Sequence, residues 1–187
     1  MRIAIVSDTH GNVTNFKKVV SWLNKENIQT ILHCGDIGDP ESLKESLSDF
    51  KGKFLGVFGN MDKGFKILID EYNKIPKVEV KEDIFEIEIE NPPSPEASAG
   101  RRKIAFCHFP DEAKKLAQSG KFDLVFYGHT HRPWDEKIPA FAKGFGEAKN
   151  ECHMINPGEL AGQFYKPTFA IYDTATEKLE LKILEKL

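Results

Sequence analysis

Five short apolar segments of this chain each end in polar residues that can bind a metal ion or a phosphate group. In chain order, the residues that follow these segments are Asp8-Thr9-His10, Gly35-Asp36, Gly59-Asn60, His108 and Gly128-His129-Thr130-His131. In α/β proteins, ligands bind in the crevice beyond the carboxyl ends of the strands, where residues distant in sequence meet. The pattern therefore predicts one polar site at the edge of a sheet, provided that the apolar segments are strands.

The apolar segments alternate with stretches that have the spacing of amphipathic helices. Residues 15–26, for example, place Phe16, Val20 and Leu23 on one helical face. The chain thus predicts strands over 2–7, 30–33, 53–58, 103–107 and 123–127, and helices over 15–26, 40–49, 65–72 and 111–118. Alternating strands and helices are typical of an α/β sheet with parallel pairs.

The pattern changes after Pro76. Residues 77–80 and 84–89 alternate apolar with charged side chains, which predicts two half-exposed strands that form a hairpin. The segment 91–100 is rich in Pro, Ser and Ala and predicts a mobile loop, whereas the Gly-rich segment 137–150 predicts irregular structure. Closing strands are predicted over 152–155, 168–172 and 178–184.

Length and composition exclude several classes of protein. A chain of 187 residues can bury one full core, so we predict a single domain over residues 1–187. The net charge is -3 and no extended basic block is present, which argues against a nucleic-acid-binding surface. No apolar run approaches the roughly 20 residues needed to span a bilayer, and no signal peptide is evident, so we expect a cytoplasmic protein without a membrane partner. The three cysteines are far apart and are expected to be buried free thiols.

The residue types in the polar segments indicate which metal ions fit. Residues two apart at the end of a strand point to one side, so Asp8 with His10, and His129 with His131, can each present two ligands. Carboxylate, amide and imidazole groups without a thiolate favour Mn²⁺, Fe²⁺, Zn²⁺ or Ni²⁺ over a structural zinc site. The candidate ligands are Asp8, His10, Asp36, Asn60, His108, His129 and His131. Since this set is too large for one such ion, two ions that share a carboxylate are expected.

Each motif alone is a weak signal. Asp-x-His occurs by chance in many chains, and Gly-Asp and Gly-Asn pairs commonly form turns. The glycines before Asp36, Asn60 and His129 are expected to allow tight backbone turns. Only the ordered set, with each motif after a predicted strand, favours a metal site.

The ordered set resembles the motifs of the calcineurin-like metallophosphoesterases, especially the small single-domain phosphodiesterases of bacteria and archaea. The motifs are Asp8-Thr9-His10, Gly35-Asp36-Ile37-Gly38-Asp39, Gly59-Asn60-Met61-Asp62, His108, Gly128-His129-Thr130-His131 and Asn156-Pro157-Gly158. The resemblance implies an α/β fold of two mixed β-sheets packed as a sandwich and flanked by α-helices, in four layers. Under it, Asp8, His10 and His131 would hold one metal ion, and Asn60, His108 and His129 the other. Asp36 would bridge the two ions.

By the same resemblance, we expect a dinuclear metal-dependent phosphoesterase, and specifically a phosphodiesterase that acts on a small phosphate ester. Two cations roughly 3.5–4 Å apart can activate a bridging hydroxide and neutralise the phosphate oxygens. Mn²⁺ is the expected ion, with Ni²⁺, Fe²⁺ and Zn²⁺ as alternatives. Asp36, Asn60 and His108 are the residues to which we assign catalysis.

A second interpretation keeps the fold without the chemistry. A retromer subunit of the same superfamily is thought to serve as a protein-interaction scaffold, and this chain could have such a role. The presence of all the ligand types favours the enzyme. An apolar patch near residues 77–89, without a bound metal, would favour the scaffold.

Three residues depart from the family pattern. Met61 stands where many members carry a histidine that is thought to protonate the leaving group, which favours diesters as substrates. Phe109 follows His108 where glycine is usual. Glu159 stands where serine is common, and we expect it to be a surface residue.

Other polar residues near the motifs are expected to be structural. His33 and His153 are predicted to be packed or solvated and not ligands, and Arg132 to be exposed. Asp62 is predicted to cap a turn. Asp39 is predicted to orient a metal ligand without touching the ion.

Overall fold

The computed structural model describes residues 1–91, 100–140 and 150–187. Its strands are β1 (Arg2–Val6), β2 (Thr30–His33), β3 (Lys53–Val57), β4 (Val78–Lys81), β5 (Ile84–Asn91), β6 (Gly100–Cys107), β7 (Leu124–Phe126), β8 (Trp134–Ala140), β9 (Asn150–Asn156), β10 (Thr168–Asp173) and β11 (Lys178–Ile183). Its helices are α1 (Val13–Lys25), α2 (Pro40–Ser46), α3 (Ile69–Asn73) and α4 (Pro110–Gln118), with 3₁₀ helices over Met61–Leu68 and Leu184–Lys186. No helix among the described residues is long and apolar enough to cross a membrane.

The strands form two mixed sheets. The first has the order β11-β10-β1-β2-β3-β4, with β1 to β4 parallel and β10 antiparallel to β1. The second has the order β5-β6-β7-β9-β8, in which β6, β7 and β9 are parallel and the two outer strands antiparallel. This arrangement confirms the expected α/β fold of two mixed sheets flanked by helices.

Alternating side chains of β1 divide the core into layers. Ile3 and Ile5 face the second sheet and pack in a buried cluster that includes Phe106. Ala4 and Val6 point the other way, into a cluster with the buried face of α1. On the far side of the second sheet, α4 packs through small alanines. The molecule therefore has four layers, in the order helices, sheet, sheet and helix.

Capping residues set where the helices begin. Asn12 accepts a hydrogen bond from the backbone N–H of Asn15 at 3.0 Å, so α1 starts two residues before the predicted position. Pro40 lies in the first turn of α2, as expected from its fixed φ, but this helix ends at Ser46 instead of residue 49. The loops that lead into α1 and α2 follow β1 and β2, and the same loops carry Asp8 and Asp36 of the predicted site.

The hairpin predicted from residues 77–80 and 84–89 is wrong. β4 pairs with β3 in the first sheet, whereas β5 pairs with β6 in the second. Val78 of β4 packs under the helices, and Phe85 of β5 packs between the sheets. Alternation shows that a strand is half-exposed, but it does not identify the neighbouring strand.

The irregular structure predicted over 137–150 is also partly wrong, because β8 extends to Ala140 and pairs antiparallel with β9. Pro139 obscured this strand in the sequence. Proline is tolerated there because β8 lies at the edge of its sheet. The rest of that segment, 141–149, and most of the predicted loop, 92–99, lie outside the described residues.

Candidate metal centre

The loops that follow β1, β2, β3, β6 and β7 meet at one edge of the sandwich. Backbone hydrogen bonds join them: the Asp8 N–H donates to Gly35 O at 3.0 Å, and the Gly128 N–H donates to His108 O at 3.1 Å. The structure brings all the predicted ligand side chains into this one cluster. The first sheet supplies Asp8, His10, Asp36 and Asn60, and the second supplies His108, His129 and His131.

One group of side chains, which we call the first group, consists of Asp8, His10, Asp36 and His131. Each offers one ligand atom, and these atoms all lie within 4.8 Å of one another. His131 Nε2 lies 3.4 Å from His10 Nε2 and 3.4 Å from Asp8 Oδ1. Such spacing suits four donors around one cation.

A second group consists of Asn60, His108 and His129. Asn60 Oδ1 lies 2.9 Å from His108 Nε2 and 2.8 Å from His129 Nδ1. Asp36 connects the two groups, because its Oδ2 is 3.6 Å from His108 Nε2 and 3.7 Å from His10 Nε2.

The hydrogen bonds of the histidines indicate that lone pairs point into the centre. His131 Nδ1 faces a carboxylate oxygen of Glu159 at 3.0 Å, and His108 Nδ1 faces the carbonyl oxygen of Cys34 at 2.9 Å. Both partners can only accept, so the Nδ1 atoms carry protons, and in the neutral form of such a ring the lone pair lies on Nε2. His108 Nε2 then faces Asn60 Oδ1, which is another acceptor. Acceptors directed at acceptors repel unless a cation lies between them, so this donor set fits metal ions.

Burial shapes the protonation of these groups. Burial raises the pKa of Asp8 well above its usual value, and the nearby carboxylate of Asp36 adds to this effect. Burial lowers the pKa of His108 to about 4 and also lowers that of His10. Neutral imidazoles are the form that binds metals. A cation would also compensate the buried carboxylates, whose charged form burial disfavours.

Much of the centre lies on strained backbone. Asp8, His10, Asp36, His129 and His131 have φ angles of 51°, 46°, 54°, 69° and 59°. This left-handed conformation is uncommon for residues other than glycine and costs on the order of 1–3 kcal/mol each. Strain of this kind clusters at functional sites, where the surrounding structure holds it in place.

The glycines before the ligands have two different roles. Gly35 has a φ of 96° and matches the predicted tight turn. At Gly59 and Gly128 the reason is close approach instead. A Cβ on Gly59 would lie 2.1 Å from Asp36 Oδ1, and one on Gly128 would lie 2.0 Å from Ser7 Oγ.

Asp62 joins two of the ligand loops. Its buried carboxylate accepts hydrogen bonds from the N–H groups of Gly59, Ile37 and Gly38, at 2.8, 3.0 and 3.1 Å. The predicted structural role is therefore seen, and it fixes the segments on which Asp36 and Asn60 stand. Asp39, by contrast, caps α2 through Ser42 instead of orienting a ligand.

Glu159 also differs from its predicted position. It was expected on the surface, but it is fully buried behind His131. Its carboxylate also accepts hydrogen bonds from the N–H groups of Gln163 at 2.9 Å and Phe164 at 2.6 Å. Burial acts to raise its pKa, but these backbone bonds and the His131 bond outweigh burial and lower it. Its place directly after the Asn156-Pro157-Gly158 motif was the available signal.

The remaining polar residues match their predicted structural roles. His33 is fully buried, where Nδ1 accepts from the Gly35 N–H and Nε2 donates to Thr9 Oγ1 at 3.0 Å. His153 pairs with Asp135, and Arg132 is exposed. The three cysteines are free and buried.

Comparison with known proteins places this centre in a wider context. Residues 1–177 match the model of the calcineurin-like phosphoesterase superfamily domain. A phosphodiesterase of Methanocaldococcus jannaschii is 29% identical over 187 residues, which cover 99% of this chain and 100% of that protein. A probable metallophosphoesterase of the same organism is 32% identical over 143 residues, which cover 72% of this chain and 60% of that protein.

Solved structures agree with the sequence matches. The structure of an archaeal phosphodiesterase superposes with a TM-score of 0.78 at 26% identity, covering 98% of this chain and 99% of that one. A phosphoesterase from E. coli superposes with a TM-score of 0.58 at 16% identity, covering 98% of this chain and 100% of that one, and shows the shared fold alone.

Proposed function

The chain belongs to the calcineurin-like phosphoesterase superfamily, and on that basis we propose that it is a dinuclear metal-dependent phosphodiesterase. Its substrate would be a small phosphate diester. The relative from Methanocaldococcus jannaschii, which aligns over nearly the whole chain, carries the name phosphodiesterase and supports this choice. A cytoplasmic location stays a prediction from the sequence.

The position of Asp36 is the main support for two ions. Its Oδ2 is nearly equidistant from His10 Nε2, at 3.7 Å, and His108 Nε2, at 3.6 Å, and these histidines belong to different groups. The Met61 N–H donates to Asp36 Oδ1 at 2.8 Å and holds the carboxylate in this orientation. A carboxylate between two sets of imidazole donors is the arrangement expected of a bridging ligand.

The candidate ligands have different proposed roles. The first group and the second group would each hold one ion, and Asp36 would touch both. When bound, the two cations would supply a water of lowered pKa and neutralise the charge of the phosphate oxygens. Asn60 directs Oδ1 toward His108 and His129, which leaves its Nδ2 to donate a hydrogen bond to a phosphate oxygen.

The leaving group receives little help from the protein at the position beside Asn60. Met61 is 61% exposed there, and its thioether has no proton to donate. We therefore propose that the preferred diesters have leaving groups that depart without strong protonation. Mn²⁺ is the proposed ion, with Ni²⁺, Fe²⁺ and Zn²⁺ as alternatives, because the oxygen donors suit Mn²⁺ and the imidazoles suit the other three ions.

The scaffold interpretation receives less support. Packing against a protein partner does not require buried carboxylates and neutral imidazoles with lone pairs directed at one another. Strained backbone at five candidate ligands also favours a centre built for chemistry.

The proposal is tested with Asp36→Asn, which keeps the shape of the side chain and removes its charge. Hydrolysis of bis(p-nitrophenyl) phosphate is measured with Mn²⁺ and with EDTA, alongside metal content. Activity should require metal, and Asp36→Asn should lower turnover by at least about a hundredfold. Asp49→Asn changes an exposed aspartate that precedes β3, at the opposite end of that strand from Asn60; it is the matched control and should leave turnover unchanged.

Two results would contradict the proposal. Turnover that persists in Asp36→Asn would remove the bridging role. A metal content of one ion per chain in fully active protein would remove the dinuclear centre.

A further inference from the structure

Two exposed aromatic side chains border the candidate metal centre. Phe109 is 37% exposed and contacts the second group, and Phe164 is 74% exposed and contacts the first group. Single exposed hydrophobic residues are common on protein surfaces. Here, however, each exposed ring packs against a histidine of the centre.

Phe109 is held against the two histidines of the second group. Its ring centroid lies 5.0 Å from that of His108 and 5.0 Å from that of His129, with the ring planes steeply inclined. Its carbonyl oxygen accepts the N–H of Ala113 in the first turn of α4, at 3.0 Å. The ring thus stands on a fixed backbone, not on a free loop.

Phe164 has a similar relation to the first group. Its ring centroid lies 5.0 Å from that of His131, at an interplanar angle of 77°. The loop that carries it is fastened at two points: the Phe164 N–H donates to buried Glu159, and the Ala161 N–H donates to Asp8 O at 3.0 Å. The exposed ring is therefore preorganised beside a candidate ligand.

Phe109 contacts histidines of the second group and Phe164 a histidine of the first, so a phosphate held by both groups would lie near both rings. A phosphate held by both groups has its remaining ester arms free to extend over the neighbouring surface. An aromatic ring on such an arm can stack on, or meet edge-on, an exposed phenylalanine, and an alkyl arm gains less from the same contact. Preorganised rings lose little side-chain entropy when they bind.

We propose that Phe109 and Phe164 form aromatic walls that select phosphodiesters carrying a flat aromatic ring, such as a phenyl group or a nucleobase. This inference rests on the proposed phosphodiesterase function and specifies its substrate class. One wall contacts the first group and the other contacts the second group, so an aromatic ring on either ester arm of the substrate has a wall to contact.

The test compares diesters that share one leaving group. Methyl p-nitrophenyl phosphate, phenyl p-nitrophenyl phosphate and the p-nitrophenyl ester of thymidine 5′-phosphate all release p-nitrophenolate and differ only in the other arm. The ratios of kcat/KM for the phenyl and thymidine substrates over the methyl substrate measure ring recognition. We expect Phe109→Ala, Phe164→Ala or both to lower these ratios, and the double variant to lower them by about five- to a hundredfold.

Matched variants separate a ring contact from a general disturbance. Phe109→Tyr and Phe164→Tyr keep a ring and should keep the preference, whereas Leu181→Ala removes an exposed apolar side chain elsewhere and should leave all rates unchanged. A fall in the phenyl ratio alone would assign the walls to simple aryl rings. A fall in both ratios would extend them to nucleobases.

A binding measurement keeps the two proposals apart. Calorimetry with Mn²⁺-loaded protein should show tighter binding of phenylphosphonate than of methylphosphonate, and the double variant should lose the difference. If no diester is hydrolysed but phenylphosphonate is still preferred, the proposed function fails and the walls stand. Equal preference in the double variant and the unmodified protein, in both assays, would overturn the walls.

Discussion

His131 Nδ1 donates a hydrogen bond to Glu159 Oε2 across 3.0 Å, and Glu159 is fully buried behind it. This pair fixes the ring of a candidate ligand so that Nε2 points toward Asp8 and His10. A carboxylate behind a metal-binding histidine also raises the basicity of the ring. Glu159 is thus a positioning residue of the centre.

Replacing Glu159 with Gln should weaken metal binding. The amide keeps the size of the side chain but loses its charge, so its bond to His131 becomes weaker. We expect Mn²⁺ affinity, measured by calorimetry, to fall about 10–100-fold. Glu45→Gln, which changes an exposed glutamate paired with Lys17, is the control and should bind Mn²⁺ normally. Unchanged affinity in Glu159→Gln would show that the carboxylate has no influence on the ligand.

A methyl group at Gly59 should disrupt Asp36. The added Cβ would lie 2.1 Å from Asp36 Oδ1 and 2.6 Å from the Asp36 backbone nitrogen, so the carboxylate must move. We expect Gly59→Ala to lose diesterase activity by at least about tenfold and to lower the melting temperature, since such overpacking costs about 1–3 kcal/mol. Gly64→Ala is the matched control, because no described atom outside its own helix and chain neighbours lies within 4 Å of its added Cβ. Full activity and stability in Gly59→Ala would contradict this account.

Asp62→Ala should lower the stability of the fold, because Asp62 holds two loops together and takes no direct part in the proposed reaction. The change leaves the N–H groups of Ile37, Gly38 and Gly59 without their carboxylate partner. Since one unsatisfied buried N–H costs about 1–3 kcal/mol, we expect a loss of several kcal/mol in denaturant unfolding. Asp62→Asn retains one acceptor oxygen and should lose less. Equal stability of both variants and the unmodified protein would exclude the role of Asp62 as a link between the loops.

His33 should make stability fall in acid. Burial lowers its pKa to about 3 in the folded protein, whereas the unfolded value is about 6.5. Between these values the unfolded chain binds the proton and the folded protein does not, so stability decreases as the pH falls from about 6.5 to about 3. The expected slope from this residue reaches about 1.4 kcal/mol per pH unit.

The measurement compares urea unfolding of metal-free protein and His33→Gln at several pH values. The variant should unfold more easily at every pH, because a packed ring is lost. Between about pH 3 and about pH 6.5 it should take up about one proton fewer on unfolding, so its free energy of unfolding should change less with pH. His108 and His10 are present in both proteins, so their titration cancels in the comparison. An identical slope in the two proteins would contradict the assignment to His33.

The convergence of the candidate ligands could be predicted because each follows an apolar strand, and parallel strands bring their carboxyl ends together. The grouping of His108 with Asn60 followed only from the family resemblance, since these residues follow strands of different sheets. The partner of β4 could not be predicted, since alternation in residues 77–80 is the same for a hairpin and for a strand that joins β3. Glu159 was misjudged because its burial comes from the loop that folds over it, and β8 was missed because Pro139 interrupts its pattern.

Each of the two groups contains side chains from both sheets of the sandwich. Asp8 and Asp36 follow strands of the first sheet, and His108 and His131 follow strands of the second. Cations held there would link the first sheet to the second. Loading with metal would then tighten the whole architecture, because an ion that binds only the folded form opposes unfolding. Removal of the ions by a chelator should accordingly weaken the attachment of one sheet to the other, in addition to abolishing hydrolysis.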